Sequence, residues 1–242
     1  MKKSLILNLI SKYNINKIES VKWHIKDSEL KTNIVSERDN SMIGEIKIFN
    51  FKSNYDDVEL GIYTTSKLAK LLGALSDEIS FDVEKVGDKP IGIKLSDGKS
   101  QVYYALCDLA IIPRVPKPKY IPSEFGLAIK IDSEFCNTYN KALSALNEVV
   151  LFSVEPGKKQ NTATITLGQT DVNTDRFIMN VDAIRANKMT KLYFNAQILS
   201  EILQANRGVD SVLEVSEEGL ARIKFETEEY SALYYLVGKK EE

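Results

Sequence analysis

His24 is the only histidine in the chain, and Cys107 and Cys136 are the only cysteines. A thiolate with a histidine base, or a metal held by nitrogen and sulfur, needs more convergent groups than these three supply. Carboxylates are plentiful, and the adjacent pairs Asp56–Asp57 and Glu217–Glu218 are of the type used by metal-dependent nucleases and glycosidases. Neighbours along a strand point to opposite faces and neighbours in a turn meet solvent, so neither pair converges by itself. The sequence has no P-loop and no GxGxxG run, and Gly87, Gly92 and Gly98 read as turn or strand glycines. The expectation is a protein that is not an enzyme and uses neither metal nor cofactor.

The chemistry left to the chain is charge. Lys and Arg number 32 against 34 Asp and Glu, a net charge of -2, so positive charge acts only where it is grouped. Lys2, Lys3 and Lys12 fall in an opening stretch with no acid before Glu19. There Leu5, Ile6, Leu9, Ile10 and Tyr13 sit at helical spacing, which predicts an amphipathic helix with a basic polar side. Interruption of the apolar run by Asn8, Ser11, Lys12 and Asn14 argues against a secretion signal. Two cysteines make no disulfide framework, so a reduced, cytoplasmic protein is expected. No stretch approaches the roughly 20 apolar residues of a membrane span.

Beyond the first helix the hydrophobic period changes to two. SVKWHIK, LKTNIV, MIGEIKIF and DVELGIY read as strands, and TTSKLAKLLGAL returns to helical spacing with Thr64 or Thr65 as cap. EISFDVE, IGIKLS and SQVYYALC follow as strands, the last two joined by a hairpin at Asp97–Gly98. Four of the six prolines then crowd into AIIPRVPKPKYIP, which reads as an extended connector. The expected organisation is one domain over residues 1–110, the connector over 111–122 and a second domain over 123–242. After the connector FGLAIKI leads into a helix over 133–146, and VVLFSVE, TATITLG, RFIMNVD and KLYF read as strands. A helix from about Ala196 to Asn206 and the strands SVLEVS, LARIKFE and SALYYLVG complete the chain.

Each half is thus helix, four strands, helix, three strands. At an offset of 131, Tyr63 falls on Phe194, Leu68 on Leu199, Leu71 on Ile202, Leu72 on Leu203, and Tyr103–Tyr104 on Tyr234–Tyr235. A duplicated α+β domain, each copy packing two helices on β-sheets, accounts for the pattern. Free sheet edges in such a tandem call for self-association, with SALYYLVG as the expected edge.

In LISKYN, LLGALSDEISFDV, the proline-rich connector, YYLV and the doubled domain, the chain resembles the DNA polymerase sliding clamps, most closely the trimeric clamp of T-even-type bacteriophages. That resemblance implies the DNA clamp fold in a closed homotrimeric ring, a processivity factor without chemistry of its own. It implies duplex DNA held topologically and without regard to sequence, a DNA polymerase partner, an ATP-dependent clamp loader, and the cytoplasm of a phage-infected bacterium, with transcription factors as further candidate partners. Phosphate attraction suits a sliding protein because it is the same at every base pair. The DNA-facing residues carried over are Lys2, Lys3, Lys12, Lys67, Lys70, Lys141 and Arg207, with Glu201 diluting the fourth helix. The partner groove beside the connector is expected to use Ile111, Ile112, Val115, Tyr120, Ile121, Leu236 and Val237, with Arg114, Lys117 and Lys119 suited to an acidic partner. A second class, a structural or adaptor assembly of tandem β-rich domains that does not encircle DNA, fits the same composition.

Overall fold

The computed structural model describes residues 1–36, 40–116, 120–168 and 174–239. The chain forms two compact units, one of Met1–Glu37, Gly44–Pro116 and Glu226–Ala232, the other of Arg38–Ile43, Lys117–Phe225 and Leu233–Glu242. Each unit therefore takes in a stretch from the opposite end of the sequence.

The first unit begins with α1 (Lys3–Tyr13), followed by β1 (Val21–Lys26), β2 (Glu29–Val35), β3 (Met42–Ile48), which lies in this unit from Gly44, and β4 (Val58–Ile62). Helix α2 (Thr65–Gly73) leads to β5 (Ser80–Val86), β6 (Lys89–Ser96) and β7 (Gln101–Ala105). Strands β4, β1 and β2 pair antiparallel, and β5, β6 and β7 form a three-stranded sheet. Asp27 and Ser28, both at positive φ, make the two-residue turn between β1 and β2. At the foreseen Asp97–Gly98 turn, Gly98 has φ +84° and the Asp97 carboxylate accepts from Lys99 N–H and Ser100 N–H at 2.9 and 2.6 Å. These backbone donors and Ser76 N–H hold the Asp97 carboxyl below the usual range.

The spacing of Ile6, Leu9, Ile10 and Tyr13 buries one side of α1. Its ring at Tyr13 meets Trp23 edge to face, centroids 6.5 Å apart, which settles the alternation of β1: Trp23 points inward and Lys22, His24 and Lys26 outward. The first N–H groups of α1 lack a side-chain cap; Lys3 N–H donates instead to Asp77 O at 2.8 Å. Neither Thr64 nor Thr65 caps α2 by its own side chain. Thr65 Oγ donates to Glu19 O, and the Glu19 carboxylate accepts from Ser66 N–H at 2.9 Å, placing a remote negative charge at the helix N-terminus.

Gly61 of β4 lies under the chain leaving β7: a Cβ there would come within 2.5 Å of Cys107 O. Cys107 N–H also donates to Gly61 O at 3.0 Å, fixing where the connector departs. Gly61→Val is therefore expected to destabilise the chain by about 2 kcal/mol through overpacking. Urea unfolding would read this as a lower midpoint with an unchanged m-value.

The second unit contains β8 (Leu127–Ile131), α3 (Ser133–Ala145), β9 (Leu151–Pro156), β10 (Thr162–Leu167), β11 (Phe177–Ala186) and β12 (Leu192–Asn195). Then come α4 (Ala196–Ala205), β13 (Ser211–Val215), β14 (Leu220–Glu226) and β15 (Tyr230–Val237), whose last residues, from Leu233, lie in this unit. Its strands run β12-β9-β10-β11-β8-β13-β14-β15. Asp132 and Asn195 cap α3 and α4, accepting from Phe135 N–H and Ile198 N–H at 3.0 and 2.9 Å. In the core Tyr139 meets Phe152 edge to face, and Phe152 meets Phe194 at a tilt.

The repeat is visible in packing. Tyr13 Oη lies 3.0 Å from Thr65 Oγ, and Tyr139 Oη donates to Ala196 O at 3.1 Å, so each unit ties its first helix to the first residue of its second. The β8–β13 ladder pairs Ile131 with Ser211; shifted by 131 at both residues, the same register in the first unit is the single bridge Lys2–Glu78 together with Met1–Ile79. The flanking strands do not keep that offset. Tyr63 is exposed where Phe194 is buried, and Tyr103 is exposed where Tyr234 is buried. The β5–β6 pairing carries a bulge between Glu84 and Lys85 that the β13–β14 pairing lacks among the described residues, and ahead of it the core-facing residues of β5, Phe81 and Val83, already fall on half-buried Val212 and Glu214 at that offset.

Candidate nucleic-acid face and docking surfaces

Lys2, Lys67 and Lys70 are exposed, Lys2 at the N-cap of α1 and the others on α2. No acid lies within either helix. The other two lysines of α1 depart from expectation. Lys3 turns toward the C-terminal end of α2, where its ammonium donates to Leu75 O and lies 3.8 Å from Asp77, complementing the end of the helix.

Lys12 is only 5% exposed, with its ammonium 4.0 Å from the centre of the Tyr230 ring. It does not belong to the open basic face, because Tyr230, supplied from the far end of the sequence, covers it. Burial pushes its pKa down from 10.5 to about 8, opposed by the Glu229 carboxylate. Between those two pH values the unfolded chain binds a proton the folded chain lacks, so stability rises with pH across that window and the charged form costs stability below about 8. The depressed pKa corresponds to about 3 kcal/mol against the ammonium, of which the ring contact returns about 1–2. Lys12→Met is expected to stabilise the protein at pH 7 by about 1–2 kcal/mol. It should also flatten the rise in urea midpoint between pH 8 and 10.

In the second unit Lys141 of α3 and Arg207 after α4 are exposed and line one shallow polar cleft with Asn137, Asn140 and Gln204. Ser200 Oγ donates to Asn140 Oδ1 at 2.7 Å and Gln204 Nε2 donates to Ser200 Oγ at 3.1 Å, tying α4 to α3. Glu201 accepts from Gln197 Nε2 at 3.0 Å and Glu134 sits in the first turn of α3, so this helix pair carries both signs of charge. Its polar side offers amide and hydroxyl groups more than cations.

The acidic pairs form no dyad. Asp57 accepts from Lys26 Nζ at 3.2 Å and lies 3.0 Å from His24 Nε2, contacts that hold its carboxyl below the usual range. Asp56 accepts from Asp27 N–H, and Glu217–Glu218 sit in the turn between β13 and β14. Among the described residues no group of three or more His, Cys, Asp or Glu is placed to hold a metal ion, and no helix is long and apolar enough to cross a membrane.

Of the expected partner anchors, Ile112 (4% exposed) and Leu236 (1%) are core residues of their own units and offer nothing to a ligand. Ile111 (57%) and the half-buried Val115 are accessible in the first unit; Tyr120 (60%), Ile121 and Val237 are accessible in the second. Lys117 and Lys119 lie outside the described residues. SALYYLVG is not an edge: β15 has β14 on one side, while Val237 N–H donates to Ser41 O on the other. The open edges are elsewhere. Among the described residues β7 pairs only with β6, and over Phe177–Asp182 the pairing of β11 is with β10 alone, its bonds to β8 beginning at Ala183. Tyr103 and Ile178 stand exposed on these two strands. A run that alternates as evenly as QVYYA gives no sign of its place at an edge.

Two similar α+β units, each with a pair of helices backed by antiparallel sheet, make up the fold of the DNA sliding clamps. The solved structures that match include Proliferating Cellular Nuclear Antigen (PCNA) from Entamoeba histolytica, with TM-score 0.76 and 17% identity over 99% of this chain and 96% of that one. A. fulgidus PCNA, solved with the C-terminal region of FEN-1 bound to it, matches with TM-score 0.74 and 14% identity over 100% and 98%. A chain of the PCNA2–PCNA3 complex from Sulfolobus tokodaii matches with TM-score 0.74 and 9% identity over the same shares. No family model matches the sequence, and no curated protein matches it.

Proposed function

We propose that this chain is a non-catalytic sliding clamp that closes as a homotrimer around duplex DNA and tethers a DNA polymerase to it. The observation that carries the reading is the pair of helices in each clamp-like unit, which expose Lys2, Lys67 and Lys70 in one and Lys141 and Arg207 in the other. These are groups that attract phosphates, an attraction that is the same at every base pair. The edges of β7 and β11 support closure by strand pairing between copies. The sequence resemblance to clamps of T-even-type bacteriophages supports a place in the cytoplasm of an infected bacterium and opening by an ATP-driven loader. The bound FEN-1 tail of the A. fulgidus protein supports docking of partner tails, here on Tyr120, Ile121 and Val237.

Light scattering during gel filtration tests the assembly: the expected mass is about 82 kDa, three copies of the 27.3 kDa chain. Protein loaded on nicked circular DNA should then stay bound in high salt and slide off once the circle is cut. A 27.3 kDa species at every concentration, or equal loss from circular and linear DNA, favours the adaptor class instead.

A further inference from the structure

Strand β5 ends the three-stranded sheet on the side away from β7, so among the described residues no strand lies along its outer side. In the second unit the matching strand, β13, has β8 in that position, paired over Ser211–Val215. In the first unit Met1 exchanges bonds with Ile79 and Lys2 bridges to Glu78, both just ahead of β5, and the outer side of Ser80–Val86 is left to something other than a strand. An edge of that kind is a template for pairing with another chain.

Residues 51–55, between β3 and β4, meet it at three alternate positions without forming a strand themselves. The Phe51 ring meets Phe81 edge to face, centroids 5.0 Å apart, and Lys85 Nζ lies 4.0 Å from the centre of the Tyr55 ring. Between them Val83 N–H donates to Asn54 Oδ1 at 2.7 Å, and Asn54 Nδ2 donates to Val83 O at 3.1 Å. The N–H and C=O of one strand residue point to the same side, so these are the two groups that an added antiparallel strand would bond. A primary amide offers one acceptor beside two donors, which lets a single side chain do what the backbone of a partner strand would do. The segment is fixed at one end: Phe51 is buried and its N–H donates to Ser28 O at 2.7 Å. Asn54 and Tyr55 are exposed, so they cover the edge from the solvent side. Among the described residues no side chain bonds in this way to the backbone of β7.

We propose that residues 51–55 are an edge guard, in which the Asn54 amide occupies the strand-pairing groups of Val83 and keeps β5 from pairing with a second copy of this chain. The guard closes one end of the sheet while β7 leaves the other open, which decides the edge that copies can use. It acts between any two copies and does not depend on ring closure.

The test combines backbone amide exchange with light scattering on the full chain. In Asn54→Ala the Val83 amide should exchange about tenfold faster or more, and at high protein concentration the mass should grow to about twice the parent's or beyond. Asn54→Lys also takes the acceptor from Val83 N–H but leaves a charge on the edge, so the amide should be as fast while the mass stays at the parent's. An unchanged Val83 rate, an Asn54→Ala mass equal to the parent's, or equal growth of both variants, the sign of a loosened fold, would overturn the proposal. A parent that stays at 27.3 kDa while Asn54→Ala grows would discard the ring and keep the guard. A parent of trimer mass with Asn54→Ala unchanged would keep the ring and discard the guard.

Discussion

Tyr103→Asp and Ile178→Asp, each made alone, should convert a species of about 82 kDa into the 27.3 kDa chain and abolish retention on circular DNA. Both side chains are exposed on open strand edges; the Tyr103 ring also lies over the buried Gly92, so Ile178→Asp is the variant that leaves the single chain's own contacts least changed. In an assembled ring each would be covered at every junction. A carboxylate left there without a partner costs about 3 kcal/mol or more, on the order of 100-fold in each contact, and three contacts must close together. A charge on an edge strand is also the usual device by which sheets refuse to pair. Thermal unfolding of Ile178→Asp at low concentration should match the parent under the same conditions. Light scattering decides the matter: a trimer that persists in both variants would place closure on other strands.

The fold was legible wherever one element decided its own period. The helical stripe of α1, the alternation of β1 to β4, the Asp97–Gly98 turn and the leucines Leu68 and Leu72 of α2 all follow from local spacing. What escaped was whatever a distant residue decides. Lys12 is polar by type and flanked by a buried stripe, yet Tyr230 closes over it, and its long aliphatic stem lets it be covered. Thr64 and Thr65 have the right chemistry to cap α2, but the Glu19 carboxylate does the work from another loop.

Edges follow the same rule, because SALYYLVG and QVYYA both alternate and only sheet order separates a paired strand from an open one.

The second large effect concerns the helices. Lys67→Gln/Lys70→Gln should weaken the ring's attraction for duplex DNA by about tenfold or more at low salt while leaving its mass at the trimer value. The two residues are exposed on α2, make no ion pair among the described residues, and lose only charge in the change to glutamine. Three copies remove six cations from the proposed inner surface. Because each neutralised phosphate releases its counterion, the slope of log affinity against log salt should shrink by up to about 5.

The matching change in the other unit, Lys141→Gln, should do less, since α3 and α4 also carry Glu134 and Glu201, whose charge offsets their cations. Retention of loaded protein on closed circles should survive both changes, because a topological link does not need the attraction. Speed of sliding should rise instead, as fewer contacts must break at each step. Equal effects of Lys67/Lys70 and Lys141 would mean that the two helix pairs share the charge evenly, against what their residues display. No effect from either would mean that the helices do not face the DNA.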